Sequence, residues 1–417
     1  MTASRARQVL DACLEGRELG IEDALLLDRL EGPDLEALRA AADQVRKQQV
    51  GDDVGYVVNR NINFTNVCVK SCKFCAFSRD HRSEQAYFLE TEEVVRRALE
   101  ARGYGATEVC LQAGLAPNVD GRHYVALCRA IKAEAPELHL HAFSPEEIKY
   151  GARLAKLSIR AFLEELRDAG LGTLPGTSAE VLDDDLRDRI APGRITTREW
   201  IEVVTTAHEL GIRTTSTMMF GHVETSEQRI RHLALLRSIQ RETGGFTEFV
   251  PLSFVHEEAP MFRDALLPDL SGGPNEALVV RLYAIARLML GKDIPNLQVS
   301  WVKSGFERAQ RLLSCGANDF GGTLMNESIS TSAGAAHGQL ASPARMRSLI
   351  RGAGRIPYER DTLYGVLRRF SVSGEGDPEL GALDRITDVE ATFGSYAALA
   401  ASSLHRFELK KKLRPLT

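Results

Sequence analysis

Several things are missing from this sequence. No run approaches the roughly 20 apolar residues that a bilayer span requires. No signal peptide is expected, because Arg5, Arg7, Asp11 and Glu15 interrupt the first residues before an apolar stretch forms. Basic charge is not in excess: 52 Lys and Arg stand against 57 Asp and Glu, for a net charge of −5. That balance offers no basic face for nucleic acid. The one basic cluster, Lys410, Lys411, Lys412 and Arg414, reads as a solvated tail. Cysteine is scarce as well. Seven in 417 residues do not make a disulfide framework, and they suit a reducing compartment. The expectation is a cytoplasmic protein with no nucleic-acid and no membrane partner.

What is present reads as α/β. A hydrophobic share of 44% and a charged share of 26% are ordinary globular values. The length allows a barrel of roughly 250 residues with additions. Residues 1–50 read as a helical prefix. Leu10, Cys13 and Leu14 recur at helical spacing, as do Leu35, Leu38 and Ala42, and Pro33 suits a first helical turn. From about residue 55 short β-rich runs alternate with amphipathic stretches. Strands are expected at 57–63, 108–112, 138–143, 170–174, 213–219, 247–254, 297–301 and 317–319. Helices are expected at 91–102, 119–134, 145–168, 196–210, 226–242, 275–290 and 305–314. Eight such repeats imply a closed (β/α) TIM-type barrel over residues 51–354. Residues 355–417 form a C-terminal extension, with a helix expected near 392–409. Functional groups of such barrels sit at the C-terminal ends of strands.

Three of the seven cysteines fall within eight residues, after the first strand. Cys68, Cys72 and Cys75 make a C-x3-C-x2-C motif. Three close thiolates can hold three corners of a 4Fe–4S cubane. The fourth iron then lacks a protein ligand and can take the amino and carboxylate groups of S-adenosylmethionine (SAM), a carrier of radical chemistry. A zinc site completed by His81 and an electron-transfer cluster completed by Cys110 are the competing readings. Cys13, Cys110, Cys128 and Cys315 otherwise read as small buried residues.

C-x3-C with an aromatic before the third cysteine resembles the signature of the radical SAM superfamily. Finer segments resemble its deazaflavin and futalosine-pathway members. They are Asn59 to Asn66, Cys75-Ala76-Phe77, His139 to Pro145, Leu174-Pro175-Gly176, Met219 to Thr225 and Thr243 to Thr247. Phe249 to Glu257 and Gly321 to Met325 select the tyrosine-using component family of FO synthase; the match covers roughly residues 20–365. The runner-up is a futalosine-pathway radical cyclase of menaquinone synthesis. The resemblance implies that the 4-hydroxybenzyl group of L-tyrosine is transferred to 5-amino-6-(D-ribitylamino)uracil. 2-Iminoacetate, methionine and 5′-deoxyadenosine are the implied co-products. It further implies a ring-closing radical SAM component as functional partner and a reductant such as ferredoxin or flavodoxin. With one cysteine triad, the chain is expected to be the stand-alone tyrosine-using component.

Residue roles follow from the resemblance for Phe74 and, for the substrate candidates, from their place at or beyond the expected strand ends. Phe74 is expected near the SAM adenine. Gln112, Ala113 and Gly114 are expected at its methionine end, and Glu180 against SAM or substrate. His222, with Glu224, is the candidate catalytic base. Ser253, His256, Glu257, Asn326 and Glu327 are candidate substrate contacts. His141, which shares a strand face with His139, is another. Two departures stand out: the family shows glycine where Ala113 stands and an acidic residue where Asn326 stands.

Overall fold

The structure, a computed structural model, describes residues 2–117 and 119–408. Its strands are β1 (Asp53–Val57), β2 (Asn59–Ile62), β3 (Glu108–Leu111), β4 (His139–Ala142), β5 (Thr173–Leu174), β6 (Arg213–Phe220), β7 (Phe246–Ser253) and β8 (Asp319–Gly322). β9 (Ile356–Arg360) and β10 (Val366–Arg369) follow. The first expected strand, 57–63, corresponds to β2, and β1 precedes it across Val58. β2 opens a parallel sheet that runs β2 to β7 in chain order. β1 pairs in parallel with β8. Between β7 and β8, Leu297 bridges to Phe249 and Gln298 to Asp319. These links close the ring, so the expected α/β barrel is observed.

Local chemistry sets the departures from the expected elements. The seventh strand shrinks to two bridged residues because a single helical turn, Trp301–Ser304, starts there. β5 stops at Leu174 because Pro175 has no N–H to give the ladder. The helix expected over 145–168 is two helices, Pro145–Ala155 and Ile159–Asp168. Lys156 takes a left-handed backbone (φ +60°) and Ser158 caps the second helix by accepting from Ala161 N. That second helix buries Phe162, Leu163 and Leu166 completely. Each such side chain stabilises the fold by roughly 1.5–3 kcal/mol.

The N-terminal residues form helices Thr2–Leu14, Ile21–Leu27 and Gly32–Val50, and the last packs on helix Glu276–Leu290. Leu35, Leu38 and Ala42, singled out by periodicity, are buried there. Past residue 355 the chain returns to the barrel. β9 lies parallel beside β1, and β10 pairs back on β9. The helix expected near 392–409 is instead two short helices, Val389–Phe393 and Tyr396–Ala401. Gly394, at φ +84°, ends the first, and Ser395 caps the second. This segment straps over the cysteine loop: Phe88 N donates to His405 O (2.8 Å) and Phe407 N to Ala86 O (2.9 Å). The basic cluster from Lys410 to Arg414, and the end of the expected helix, lie outside the described residues. Among the described residues no helix is long and apolar enough to cross a membrane.

Candidate active site

A cavity of about 410 Å³ joins the barrel interior to the loops at the strand ends. Cys68, Cys72 and Cys75 line it. All three are partly exposed, whereas Cys13, Cys110, Cys128 and Cys315 are buried. The loop carrying the three is tied down by its own backbone and amides. Cys68 N donates to Arg79 O (3.1 Å), Val69 N to Leu115 O (2.9 Å) and Cys75 N to Cys72 O (3.1 Å). The Asn66 side chain spans the loop, donating to Gln85 O (2.9 Å) and accepting from Tyr87 N (2.9 Å). Tyr396, from the C-terminal strap, donates to Phe77 O (2.9 Å) just past the third cysteine.

The end of β3 forms the adjoining wall. Gln112 O accepts from Asn63 (2.8 Å), and Gln112 Oε1 accepts from the Thr177 hydroxyl (3.1 Å). Gly114 N donates to Thr65 O (2.9 Å). A Cβ on Gly114 would stand 2.2 Å from Val67 O, so only glycine lets this wall approach the cysteine loop so closely. Ala113 N donates to Glu147 Oε1 (3.0 Å). The other Glu147 oxygen accepts from Ser144 N (2.8 Å) and Ser144 Oγ (2.7 Å), in a capping box that starts helix Pro145–Ala155. Burial raises the Glu147 carboxyl to about 7, against these bonds. Glu147 thus fixes the alanine-for-glycine position through its backbone, where a side-chain methyl is tolerated.

Arg194 crosses from a loop to the triad. It pairs with Glu180 (3.1 Å) and Glu146 (3.3 Å), and Nη1 stands 3.6 Å from Cys72 Sγ. Its guanidinium carbon is 5.8 Å from the Phe74 ring centre. Burial pushes the Cys72 thiol up to about 12, with Arg194 pulling the other way. Sequence reasoning found Glu180 and Phe74 but missed Arg194, Glu146 and Glu147. The only sequence signal for the last was the Ser144-x-x-Glu147 cap.

The expected substrate residues divide. His141, Ser253 and Glu327 line the cavity, as do Phe74, Gln112, Ala113, Gly114 and Glu180. His141 Nδ1 and His139 Nε2 both meet Thr173 Oγ1, at 2.7 and 2.8 Å. Burial lowers His141 to about 4, so the ring is neutral. Glu327 accepts from Ser330 N (2.8 Å), and burial raises its pKa. Lys303, unforeseen from sequence, lines the cavity too. Burial lowers its pKa, and the nearby Glu327 opposes that shift.

The structure does not bring His222, Glu224, His256, Glu257 or Asn326 to the cavity wall. His222 is buried, with Nε2 at 3.2 Å from Met219 O and burial lowering its pKa. Glu224 accepts from Gly221 N and His222 N (both 2.8 Å) and pairs with Arg229 (3.0 Å). Arg229 in turn pairs with Asp28 of the N-terminal helices (2.8 Å). The cause is the turn that ends β6: Thr215, Thr217 and Met219 of the strand line the cavity, but Gly221, at φ +87°, turns the chain before His222, and the Glu224 carboxylate closes on that turn's backbone. His256 packs edge-on against Phe262, and its backbone N donates to Glu257 Oε2 (3.1 Å). Asn326 donates to the carbonyls of Phe393 (2.8 Å) and Gly394 (3.2 Å), anchoring the C-terminal strap. An acid there would face two carbonyl oxygens without a proton to offer.

Among the described residues no group of His, Cys, Asp and Glu is placed to hold a single metal ion. A cubane spreads its thiolate ligands over separate corners. Three accessible thiols on one tethered loop, with a cation beside Cys72, suit that larger group.

Comparison with known proteins agrees. Residues 62–236 match the model of the radical SAM superfamily, and residues 243–371 match that of the CofH/MqnC C-terminal region. The chain is 49% identical to the 5-amino-6-(D-ribitylamino)uracil–L-tyrosine 4-hydroxyphenyl transferase of Methanothermobacter thermautotrophicus, over 87% of this chain and 97% of that protein. It is 48% identical to the FO synthase of Mycobacterium tuberculosis over 85% of this chain, and spans 40% of that longer protein. Among solved structures, HydG from Carboxydothermus hydrogenoformans matches with a TM-score of 0.67 at 16% identity, covering 87% of this chain and 81% of that one. Methylornithine synthase matches at 0.61 and 21% identity, covering 83% and 95%. Both support the barrel fold alone. The chain belongs to the radical SAM superfamily, whose cofactors are a 4Fe–4S cluster and SAM, and within it to the family of 5-amino-6-(D-ribitylamino)uracil–L-tyrosine 4-hydroxyphenyl transferases.

Proposed function

We propose that the chain cleaves L-tyrosine between Cα and Cβ and transfers the 4-hydroxybenzyl group to 5-amino-6-(D-ribitylamino)uracil. The observation that carries this reading is near-half identity to a transferase of that name along almost its whole length. The geometry supports it, since one cavity joins the thiol triad to a barrel interior that carries polar groups among apolar ones. The tyrosine remainder leaves as 2-iminoacetate, and SAM is consumed to methionine and 5′-deoxyadenosine. When bound, the cluster and SAM supply one-electron, hydrogen-abstracting chemistry.

The chain's own residues bind and orient. Cys68, Cys72 and Cys75 hold the cluster. Phe74, Gln112, Ala113, Gly114 and Glu180 form the SAM wall, with Arg194 and Glu147 holding that wall in place. Ser253, Glu327 and Lys303 face the tyrosine, and Lys303 is the cation for its carboxylate. His222 and Glu224 act as positioning residues that fix the turn after β6. His256 and Glu257 shape the loop beyond β7. A reductant such as ferredoxin or flavodoxin supplies electrons, and a ring-closing radical SAM component takes the adduct on to FO.

The test uses anaerobically purified protein with a rebuilt cluster, dithionite, SAM, L-tyrosine and the aminouracil. Mass spectrometry is expected to show 5′-deoxyadenosine and a hydroxybenzyl–uracil adduct, and neither from Cys72→Ala. Deoxyadenosine without adduct would sink the substrate assignment.

A further inference from the structure

We infer that the floor of the barrel is the seat of the ribityl chain of the aminouracil, with tyrosine held above it near the cysteine loop. This rests on the function proposed above. Interiors of such barrels are ordinarily filled by layers of branched aliphatic side chains. Here Asn59, Glu108, His141, Thr217, Glu248 and Gln298 stand on the cavity wall, among apolar neighbours such as Val57 and Val250. The floor is closed by the returning C-terminal chain. Arg360 of β9 makes two bonds to Asp319 (2.6 and 2.9 Å), and the Tyr364 hydroxyl donates to Glu248. Arg360 is thus neutralised in place, which leaves no free cation at the floor for a phosphate or carboxylate.

What remains open there calls for hydrogen-bond donors and offers no charge to an anion. Glu108 Oε1 accepts from Asn59 (2.8 Å), and Glu248 Oε2 accepts from Gln298 (2.8 Å). Glu108 Oε2 and Glu248 Oε1 have no hydrogen-bond partner among the described residues. Thr362 is only 7% exposed and lines the cavity, and its hydroxyl has no full hydrogen bond among the described residues. It faces the Glu108 carboxylate as a weak donor that helps to lower the Glu108 pKa, short of a hydrogen bond of full geometry. Buried polar atoms left unpaired are costly and rare. Two spare carboxylate oxygens and one spare hydroxyl complement a row of alcohols, each of which donates once and accepts twice. Nearer the cysteines the lining includes Phe74, Leu252, Phe254, Trp301 and Ile329, which suits aromatic rings. The polyol end of the substrate therefore points down and the reacting rings point up.

The experiment is calorimetric titration of the anaerobic, cluster-loaded protein with two ligands. One is 5-amino-6-(D-ribitylamino)uracil; the other carries a methylamino group in place of the ribityl chain. Wild type is expected to bind the ribityl compound at least tenfold more tightly, about one charged hydrogen bond's worth. Thr362→Val is expected to weaken the ribityl compound about tenfold, leave the methylamino compound unchanged, and not lower the melting temperature. Glu108→Gln, nearly isosteric, should discriminate between the ligands in the same direction. Equal binding of both ligands by wild type, or equal weakening of both by each variant, overturns the assignment. Adduct formation by wild type together with that pattern overturns the floor site alone. A wild type that forms no adduct and binds neither ligand overturns the proposed function as well.

Discussion

Gly114→Ala gives a worked prediction. An ideal Cβ at this position stands 2.2 Å from Val67 O and 2.7 Å from Val67 C. Carbon–oxygen contacts settle at about 3.3 Å or more, so backbone must separate from backbone by about 1 Å. No side chain can rotate to absorb that. Val67 is bonded to Cys68, and the displaced wall is the one that carries Gln112 and Ala113. The shift therefore opens the gap between the triad loop and the wall proposed to hold SAM. Misplacement by about 1 Å costs on the order of 100-fold in rate, and overpacking costs about 1–3 kcal/mol in stability. The control is Gly103→Ala, where nothing lies within 4 Å of the new Cβ. It should gain about 0.5–1 kcal/mol. Chemical unfolding, deoxyadenosine formation and the change in the cluster's electron paramagnetic resonance spectrum on adding SAM report the effects. A Gly114→Ala protein with wild-type rate and an unaltered response to SAM would refute the reasoning.

Three further outcomes are expected. Arg194→Met leaves Glu146 and Glu180 without their shared cation; urea unfolding should show a loss of about 3 kcal/mol, and iron analysis a reduced cluster content. Asn326→Asp turns two donated bonds into repulsion against Phe393 O and Gly394 O. It should cost about 1–3 kcal/mol and speed proteolysis of the C-terminal strap. Glu147 holds its proton up to about pH 7 in the fold, against an ordinary value of 4.5. Between those pH values the folded state keeps a proton that the unfolded chain has released, so stability falls as pH rises through the window. The fall should total roughly 3 kcal/mol, read as the difference between wild type and Glu147→Gln in unfolding curves at pH 4.5 and 7.5.

Much of this was legible in the sequence because its signals are local. The triad spacing needs eight residues of context, and the alternation of short β-rich runs with helices was enough to imply a barrel. The breaks within elements were less so. Lys156 and Gly394 split helices whose apolar spacing continues across them, and β9 lies too far along the chain to suggest pairing with β1. At the site, the strand-end rule located the correct end of the barrel but not the facing of each residue. His222 and Glu224 follow β6 closely, yet Gly221, at φ +87°, turns the chain before them, while Thr215, Thr217 and Met219 within the strand line the cavity. Arg194 could not be found by spacing, since 122 residues separate it from Cys72. Glu147 resembles any helix cap until its second oxygen is seen on Ala113 N.

The central claim is that a tyrosine fragment containing Cβ, and not Cα, ends on the aminouracil. The most direct measurement supplies the cluster-loaded protein with SAM, the aminouracil and tyrosine carrying ¹³C at either Cβ or Cα. The account predicts an adduct one mass unit heavier with the Cβ label and unshifted with the Cα label, which should appear in the two-carbon co-product. An adduct carrying the Cα label, or no adduct from a verified 4Fe–4S protein, would contradict it.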